Sequence, residues 1–216
     1  MSNLSHLPLK TPKETVREGY DKLAAAYRAH YAASHDAQYG GWLDAFERTL
    51  TPGGRVLELG CADGIPVAKR LSPSYDYLGV DISPVQIAAA GQNVPGAHFQ
   101  VADMTELAFP DGQFGGIVAL YSLIHVPVAQ QVPLIGKMAR WLQPGGALLA
   151  TVGHTAWTGT EDNWIVPCAT MYWSHADTAT YLAWFAEAGF TVLRNAFVPE
   201  GNGGHTLLLL RREGAG

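Results

Sequence analysis

The sequence is poor in cysteine and in charged residues, and it lacks long uninterrupted apolar runs. Its two cysteines, Cys61 and Cys168, cannot make a disulfide framework or a zinc site. No apolar run is long enough to span a bilayer, and the first residues lack the apolar core of a signal peptide. We therefore expect a cytoplasmic protein that does not work at a membrane.

An excess of basic charge is also missing. The chain has 14 Lys and Arg against 19 Asp and Glu, with a formal net charge of -5, and no segment concentrates the basic residues. A nucleic-acid partner is therefore not expected. The hydrophobic fraction of 48 % over 216 residues can fill one large core. We expect a single domain, as a monomer or a homodimer.

The N-terminal part of the chain predicts helices. Thr11, Pro12 and Glu14 form a capping pattern at a helix start. Behind them, apolar and aromatic residues recur every three or four positions, as on one face of a helix: Val16, Tyr20, Leu23, Tyr27 and Tyr31. We expect a second helix over residues 38–50, ended by the Thr51-Pro52-Gly53-Gly54 turn.

From residue 55 onward, short apolar runs alternate with helical segments. The predicted strands cover residues 56–59, 77–80, 98–101, 117–120, 147–150, 190–197 and 205–210. The predicted helices between them cover residues 83–91, 128–142 and 178–188, with an aromatic loop after Thr151. This alternation predicts an α/β fold: a Rossmann-like, doubly wound sheet of seven strands, mostly parallel with an antiparallel last strand, and helices on both faces.

Polar features follow three consecutive predicted strands. The first strand runs into the small-residue turn Gly60-Cys61-Ala62-Asp63-Gly64, where a backbone can approach a ligand closely. Asp81 ends the second strand, about 20 residues on, where a carboxylate can accept hydrogen bonds from ribose hydroxyls. Asp103 follows the third strand and can receive a purine amino group. Together these features predict an adenosine site at the carboxyl edge of the sheet.

The chain resembles the class I S-adenosylmethionine-dependent methyltransferases from about Val16 to Leu210. The resemblance rests on the stretches VLELGCADG, LGVDIS, VADMTEL, FGGIVALYSLIHV and LQPGG, and it is closest to a bacterial branch that also carries MYWSHAD and EAGF. One departure is Ala62, where the family usually has glycine. The resemblance implies S-adenosylmethionine as cofactor, S-adenosylhomocysteine as product and a small-molecule methyl acceptor.

The resemblance also implies which residues contact the cofactor. The turn would face its methionine end, Asp81 its ribose, and Ile82, Asp103 and the backbone of Met104 its adenine. Glu58 is either a structural carboxylate or a ligand, and we expect a ligand. The full predicted set is Tyr20, Tyr27, Glu58, Gly60, Cys61, Ala62, Gly64, Asp81, Ile82, Asp103, Met104 and Leu120.

For the acceptor side, His125 lies just past the fourth predicted strand and is a candidate general base, since histidine suits proton transfer near neutral pH. A packing or helix-capping role is the alternative. The aromatic segment, Trp173 included, would enclose a flat or apolar acceptor. The predicted substrate residues are Tyr121, His154, Trp157, Trp164, Tyr172 and His175. No metal is expected.

This assignment divides the chain into four parts. Residues 1–50 would form a helical lid, 51–153 the cofactor-binding core, 154–176 a substrate-covering insertion, and 177–216 a C-terminal helix with strands. A nicotinamide-dependent dehydrogenase is disfavoured, because Ile65 and Pro66 stand where its fingerprint needs the last glycine. A protein or peptide methyltransferase, or a non-catalytic S-adenosylmethionine-binding protein, remains an alternative.

Overall fold

The computed structural model describes residues 10–214, except for the side chains of residue 25 and residues 31–37. The predicted strands form its central sheet, and two additional strands pair separately. The strands are β1 (Arg55–Leu59), β2 (Asp76–Asp81), β3 (His98–Val101), β4 (Phe114–Ala119), β5 (Leu142–Gly153), β6 (Trp157–Asp162), β7 (Thr170–His175), β8 (Phe190–Glu200) and β9 (Gly203–Arg212).

The central sheet has seven strands in the order β3-β2-β1-β4-β5-β9-β8. β1 pairs in parallel with both β2 and β4, whereas β9 is antiparallel to β5 and to β8. The strand order reverses between β1 and β4, so a crevice opens at their carboxyl ends. The predicted Rossmann-like sheet with an antiparallel last strand is confirmed.

Apolar clusters cover both faces of the sheet, which explains why its inner strands are continuous apolar runs. One cluster contains Leu57, Ile117 and Trp141, and the other contains Val56, Val118 and Leu149. Besides the N-terminal helix α1 (Pro12–Glu47), the described residues form four further helices: α2 (Val67–Leu71), α3 (Pro84–Asn93), α4 (Val128–Trp141) and α5 (Thr178–Glu187). A 3-10 turn covers Leu123–His125. None of the described helices is both long enough and apolar enough to cross a membrane.

The N-terminal helix differs from its prediction. Two helices were expected, but α1 is one helix of 36 residues, Pro12–Glu47. Its predicted start is confirmed, because Thr11 and Glu14 form the capping box. Its C-terminal part buries Trp42 and Phe46 in the core, which compensates for the helix-weakening Gly40-Gly41 pair.

The segment after β5 also differs from its prediction. Instead of an irregular loop, it forms an antiparallel hairpin of β6 and β7, in which Trp157 pairs with His175. The hairpin packs on α1 around the buried side chains of Val16, Leu23 and Met171. A Cβ at Gly19 would lie 2.8 Å from the carbonyl oxygen of Thr170, so this glycine permits the close approach of α1 to β7. α1 and the hairpin therefore lie together over the crevice.

Candidate active site

The turn after β1 is held by backbone contacts from neighbouring strands. The Gly60 amide donates to the carbonyl of Val80 at 2.7 Å. Gly60 has a φ of +83°, and a Cβ there would overlap the Ser122 side chain. Ser122 itself donates to the Leu59 carbonyl at 2.6 Å. Only glycine meets both demands at position 60, so the turn after β1 packs directly against Ser122 in the segment that follows β4.

Asp81 connects this turn to the start of α3. Its Oδ2 accepts from the Ala62 amide at 2.9 Å, and its Oδ1 accepts from the Ser83 amide, also at 2.9 Å. The carboxylate keeps further lone pairs, because each oxygen can accept more than one hydrogen bond. Burial raises the pKa of Asp81 to about 6, against the opposing effect of these amides. Near neutral pH it therefore remains mostly ionised.

A cavity with an empty volume of about 750 Å³ opens above these groups. This volume includes space that is open to solvent. Its lining includes most of the predicted cofactor residues: Tyr20, Tyr27, Gly60, Ala62, Asp81, Ile82, Asp103, Met104 and Leu120. We call it the cofactor cavity.

Helix α1 closes one side of the cofactor cavity through polar contacts. Lys13 lies 2.6 Å from Glu106 and 3.4 Å from Asp103, measured from Nζ to the carboxylate oxygens. Asp21 accepts a hydrogen bond from the Ser83 hydroxyl at 2.6 Å. The N-terminal half of α1 is thus attached to the loops that follow β2 and β3.

His125 lies in the 3-10 turn after β4 and is almost fully buried. Its Nδ1 is 2.7 Å from the Tyr172 carbonyl oxygen, which can only accept a hydrogen bond, so Nδ1 carries the proton. Its Nε2 is 2.9 Å from the Tyr20 hydroxyl. Burial lowers the pKa of His125 to about 4. The ring is therefore neutral at pH 7, and Nε2 accepts from Tyr20.

A second, smaller cavity of about 290 Å³ adjoins the first. We call it the acceptor cavity. Four residues line both cavities, namely Tyr20, Tyr27, Tyr121 and His125. The rest of its lining consists of Ile124, Trp164, Trp173, Glu200 and His205. His125 and three tyrosines therefore form the boundary between the two spaces.

Three predicted cofactor residues are not among the described residues that line the cofactor cavity, namely Glu58, Cys61 and Gly64. Glu58 is buried and accepts a hydrogen bond from the Tyr77 hydroxyl, and burial raises its pKa to about 8. The Cys61 side chain is buried. A Cβ at Gly64 would pack 3.3–3.4 Å from Phe99, Ala90 and Val94. Glu58 thus bonds to Tyr77 inside the fold, and its ligand role stays a prediction.

Four predicted substrate residues point elsewhere. The described lining of both cavities does not include His154, Trp157, Tyr172 or His175. His154 bonds to Thr206 at 3.1 Å, His175 bonds to the Thr155 carbonyl at 2.7 Å, and the Trp157 side chain is 46 % exposed. Tyr172 acts through its carbonyl, which orients His125. Of the predicted substrate set, Tyr121 and Trp164 line the acceptor cavity.

Sequence reasoning missed Glu200 and His205. Glu200 is the last residue of β8, and His205 lies near the start of the antiparallel strand β9. The start of an antiparallel strand lies at the same sheet edge as the ends of its parallel neighbours, and His205 is indeed paired with Gly153 at the end of β5. The predicted antiparallel last strand therefore contained the signal that could have found His205.

The central part of the chain is similar to known methyltransferases. Residues 56–146 match the family described as "Methyltransferase domain". The 27-O-demethylrifamycin SV methyltransferase of Amycolatopsis mediterranei is 37 % identical over 107 residues, which cover 46 % of this chain. They cover 38 % of that relative, so the chain spans well under two thirds of the length of the curated protein it matches.

Two solved structures share the fold over almost the whole chain. Magnesium protoporphyrin IX methyltransferase from Synechocystis PCC 6803, with bound S-adenosylmethionine, has a TM-score of 0.72 at 16 % identity and covers 96 % of this chain and 100 % of its own. The [4+2]-cyclase SpnF has a TM-score of 0.76 at 17 % identity, with coverage of 97 % and 99 %. At these identities the likeness concerns the fold.

Proposed function

We propose that this chain, which carries a class I S-adenosylmethionine-dependent methyltransferase domain, transfers the methyl group of S-adenosylmethionine to a small aromatic acceptor. The observation that carries the proposal is the pair of adjoining cavities with His125 and Tyr20 on their common wall. A two-substrate reaction needs two such spaces in contact, with a group that can hold the reacting atom between them.

The cofactor cavity fits S-adenosylmethionine on three observations. The Gly60 turn leaves the backbone close to the cavity, with no room for a side chain. The Asp81 carboxylate lies on the wall, suited to ribose hydroxyls. Asp103 and Met104 lie further along the same wall, suited to adenine, with Ile82 and Leu120 as apolar contacts. When bound, S-adenosylmethionine supplies the electrophilic methyl group.

The acceptor cavity favours a flat, small molecule. Aromatic rings form most of its wall, and Trp164 and Trp173 pack edge to face with ring centroids 5.2 Å apart. Helix α1 and the hairpin cover the cavity, leaving about 290 Å³. We favour a small molecule over a protein or peptide acceptor because these aromatic side chains come close together around the space.

His125 is suited to hold the acceptor atom and take its proton. The bond from Nδ1 to the Tyr172 carbonyl fixes the ring and leaves the Nε2 lone pair for the shared wall. An acceptor hydroxyl or amine that replaces the Tyr20 hydroxyl at Nε2 would lose its proton there as the methyl group is transferred in line. Because burial makes His125 a weak base, we expect positioning to supply much of the rate acceleration.

A second candidate is an S-adenosylmethionine-binding protein that does not transfer a methyl group. The [4+2]-cyclase SpnF shares the fold over 97 % of this chain, so the fold alone does not require methyl transfer. An assay of S-adenosylhomocysteine release with a panel of small phenols and aromatic amines distinguishes the two. We expect release that depends on the acceptor, with a methylated product in mass spectrometry. Tight cofactor binding without release for any acceptor would favour the second candidate.

A further inference from the structure

One part of the acceptor cavity is polar, although the rest of its wall is aromatic. Glu200 and His205 lie there, with Glu200 Oε2 3.1 Å from His205 Nδ1. The His205 ring packs edge to face on Tyr121, with centroids 5.2 Å apart. β8 and β9 supply this pair, whereas the 3-10 turn after β4 supplies His125. The proposed transfer of a methyl group does not use the pair.

Charge makes this pair selective. Among the described residues that line the acceptor cavity, Glu200 is the one with a carboxylate side chain. A carboxylate attracts a hydrogen-bond donor or a cation and repels an anion, and the surrounding rings also favour a cation over an anion. The Glu200 side chain is 37 % exposed, so solvent screens part of this effect.

Trp173 contributes an independent observation. Its Nε1 is buried and finds no hydrogen-bond acceptor among the described residues. Trp173 lines the same cavity, and its ring lies tilted against that of His125, with ring centroids 4.5 Å apart. Buried donors usually have a partner, so an oxygen atom of a bound molecule is a natural one. Trp173 therefore adds a buried donor without a described acceptor to the residues around this cavity.

From these features we infer that Glu200 and His205 form a recognition site for a hydroxyl or ammonium substituent on a phenolic acceptor, and that they exclude acceptors with a carboxylate at that place. Glu200 accepts from the substituent, and His205 orients the carboxylate through Nδ1. The inference rests on the proposed function, because it takes the second cavity to be the acceptor site.

Binding measurements test the inference without requiring turnover. Calorimetry in the presence of S-adenosylhomocysteine would compare three phenols that differ in one substituent: tyramine, tyrosol and 4-hydroxyphenylacetate. We expect tyramine and tyrosol to bind about three- to tenfold more tightly than 4-hydroxyphenylacetate. The difference is modest because solvent screens part of the repulsion between the Glu200 carboxylate and that of the ligand. Glu200→Gln should remove most of this difference. His205→Phe, which keeps a ring against Tyr121, should reduce it partially.

Glu161→Gln is the matched control, because Glu161 is an exposed carboxylate of the hairpin outside the described cavity lining. It should leave the order of the three phenols unchanged. A wild-type preference for 4-hydroxyphenylacetate, equal ratios in wild type and Glu200→Gln, or no binding of any phenol would each overturn the inference. Failure of the proposed function would instead appear as phenol binding without methyl transfer, or as no binding of S-adenosylhomocysteine.

Discussion

The two cavities are built in different ways. Strand ends form the floor of the cofactor cavity, and backbone amides and carbonyls fix its key groups, as where Asp81 accepts from Ala62 and Ser83. Side chains from distant segments form the acceptor cavity, as where Tyr20 of α1 meets His125 and Trp164. A backbone framework tolerates many sequences with one geometry, whereas a wall of side chains changes with each substitution. We therefore expect cofactor binding to depend on few residues and acceptor choice on many.

The sharpest test of this division is His125→Ala. We expect turnover to fall by about 10²–10⁴ with little change in affinity for S-adenosylhomocysteine, because the lost ring acts on the acceptor. Steady-state rates and calorimetry on the same preparation measure both. Because the His125 pKa is about 4, its lone pair is lost only as the pH falls towards 4, so the ring itself should not limit turnover between pH 6 and 8.

Tyr20→Phe is the matched control for His125. It keeps the ring that packs on Tyr27 and Trp164 but removes the hydroxyl bonded to Nε2. Because the acceptor would replace the Tyr20 hydroxyl at Nε2, Tyr20→Phe should change turnover far less than His125→Ala. Near-normal turnover in a folded His125→Ala variant would leave His125 with a packing role alone.

Substitution of Asp81 should give the next largest effect, in this case on the affinity for the cofactor. Removing charge-assisted bonds to ribose hydroxyls in Asp81→Ala should cost about 2–3 kcal/mol, or tens- to a hundredfold in affinity for S-adenosylhomocysteine. Calorimetry on the folded variant measures the loss. Unchanged affinity would refute the ribose assignment.

The pH dependence of binding sharpens the same test. In the protein without bound cofactor, the Asp81 carboxyl has a pKa of about 6, and binding of the ribose needs its ionised form. As the pH falls below 6, the wild-type affinity should therefore fall, approaching about tenfold per pH unit. Asp81→Asn, which cannot ionise, should show a much flatter profile. An equal slope in both proteins would assign the pH dependence to another group.

Hydrogen exchange in helix α1 tests whether this helix, which lies over the cofactor cavity, is mobile. We predict that it is a lid, so that binding of S-adenosylhomocysteine slows amide hydrogen exchange between Val16 and Tyr31 by about tenfold or more. The side chain of Tyr31 lies outside the described residues, and the prediction concerns the backbone. β4 is the internal reference, since it is buried in the centre of the sheet. Equal exchange of α1 in both states would make it a docking helix.

The smallest effect is expected on stability, at Ala62, where the family usually has glycine. Ala62 has a φ of +45°, a conformation that costs a non-glycine residue about 1 kcal/mol. Ala62→Gly relieves this strain but makes the unfolded chain more flexible, so the free energy of unfolding should change by less than about 1 kcal/mol. Gly64→Ala, at a φ of +79° in a crowded site, should destabilise clearly more. Denaturant unfolding of both variants measures the contrast.

Much of the cofactor half could be predicted because its signals are local. Asp81 ends β2 and Asp103 comes shortly after β3, so the end of each predicted strand was enough to place both carboxylates at the sheet edge. The acceptor half was less predictable. In a strand, neighbouring side chains point to opposite faces, so in β7 Trp173 lines the cavity while Tyr172 contributes its carbonyl. Because the segment was predicted as a loop, no such alternation was expected, and the different roles of Trp173 and Tyr172 could not be predicted.

The sequence by itself determined the doubly wound sheet, the helix start at Thr11 and the polar groups at the strand ends, because periodicity, capping and strand-end position are properties of adjacent residues. The tertiary structure alone decided that α1 continues as one helix through Gly40, that Glu58 turns towards Tyr77, and that Glu200 and His205 join the acceptor cavity. These outcomes depend on packing between segments far apart in the chain, and the burial they gain outweighs local preference.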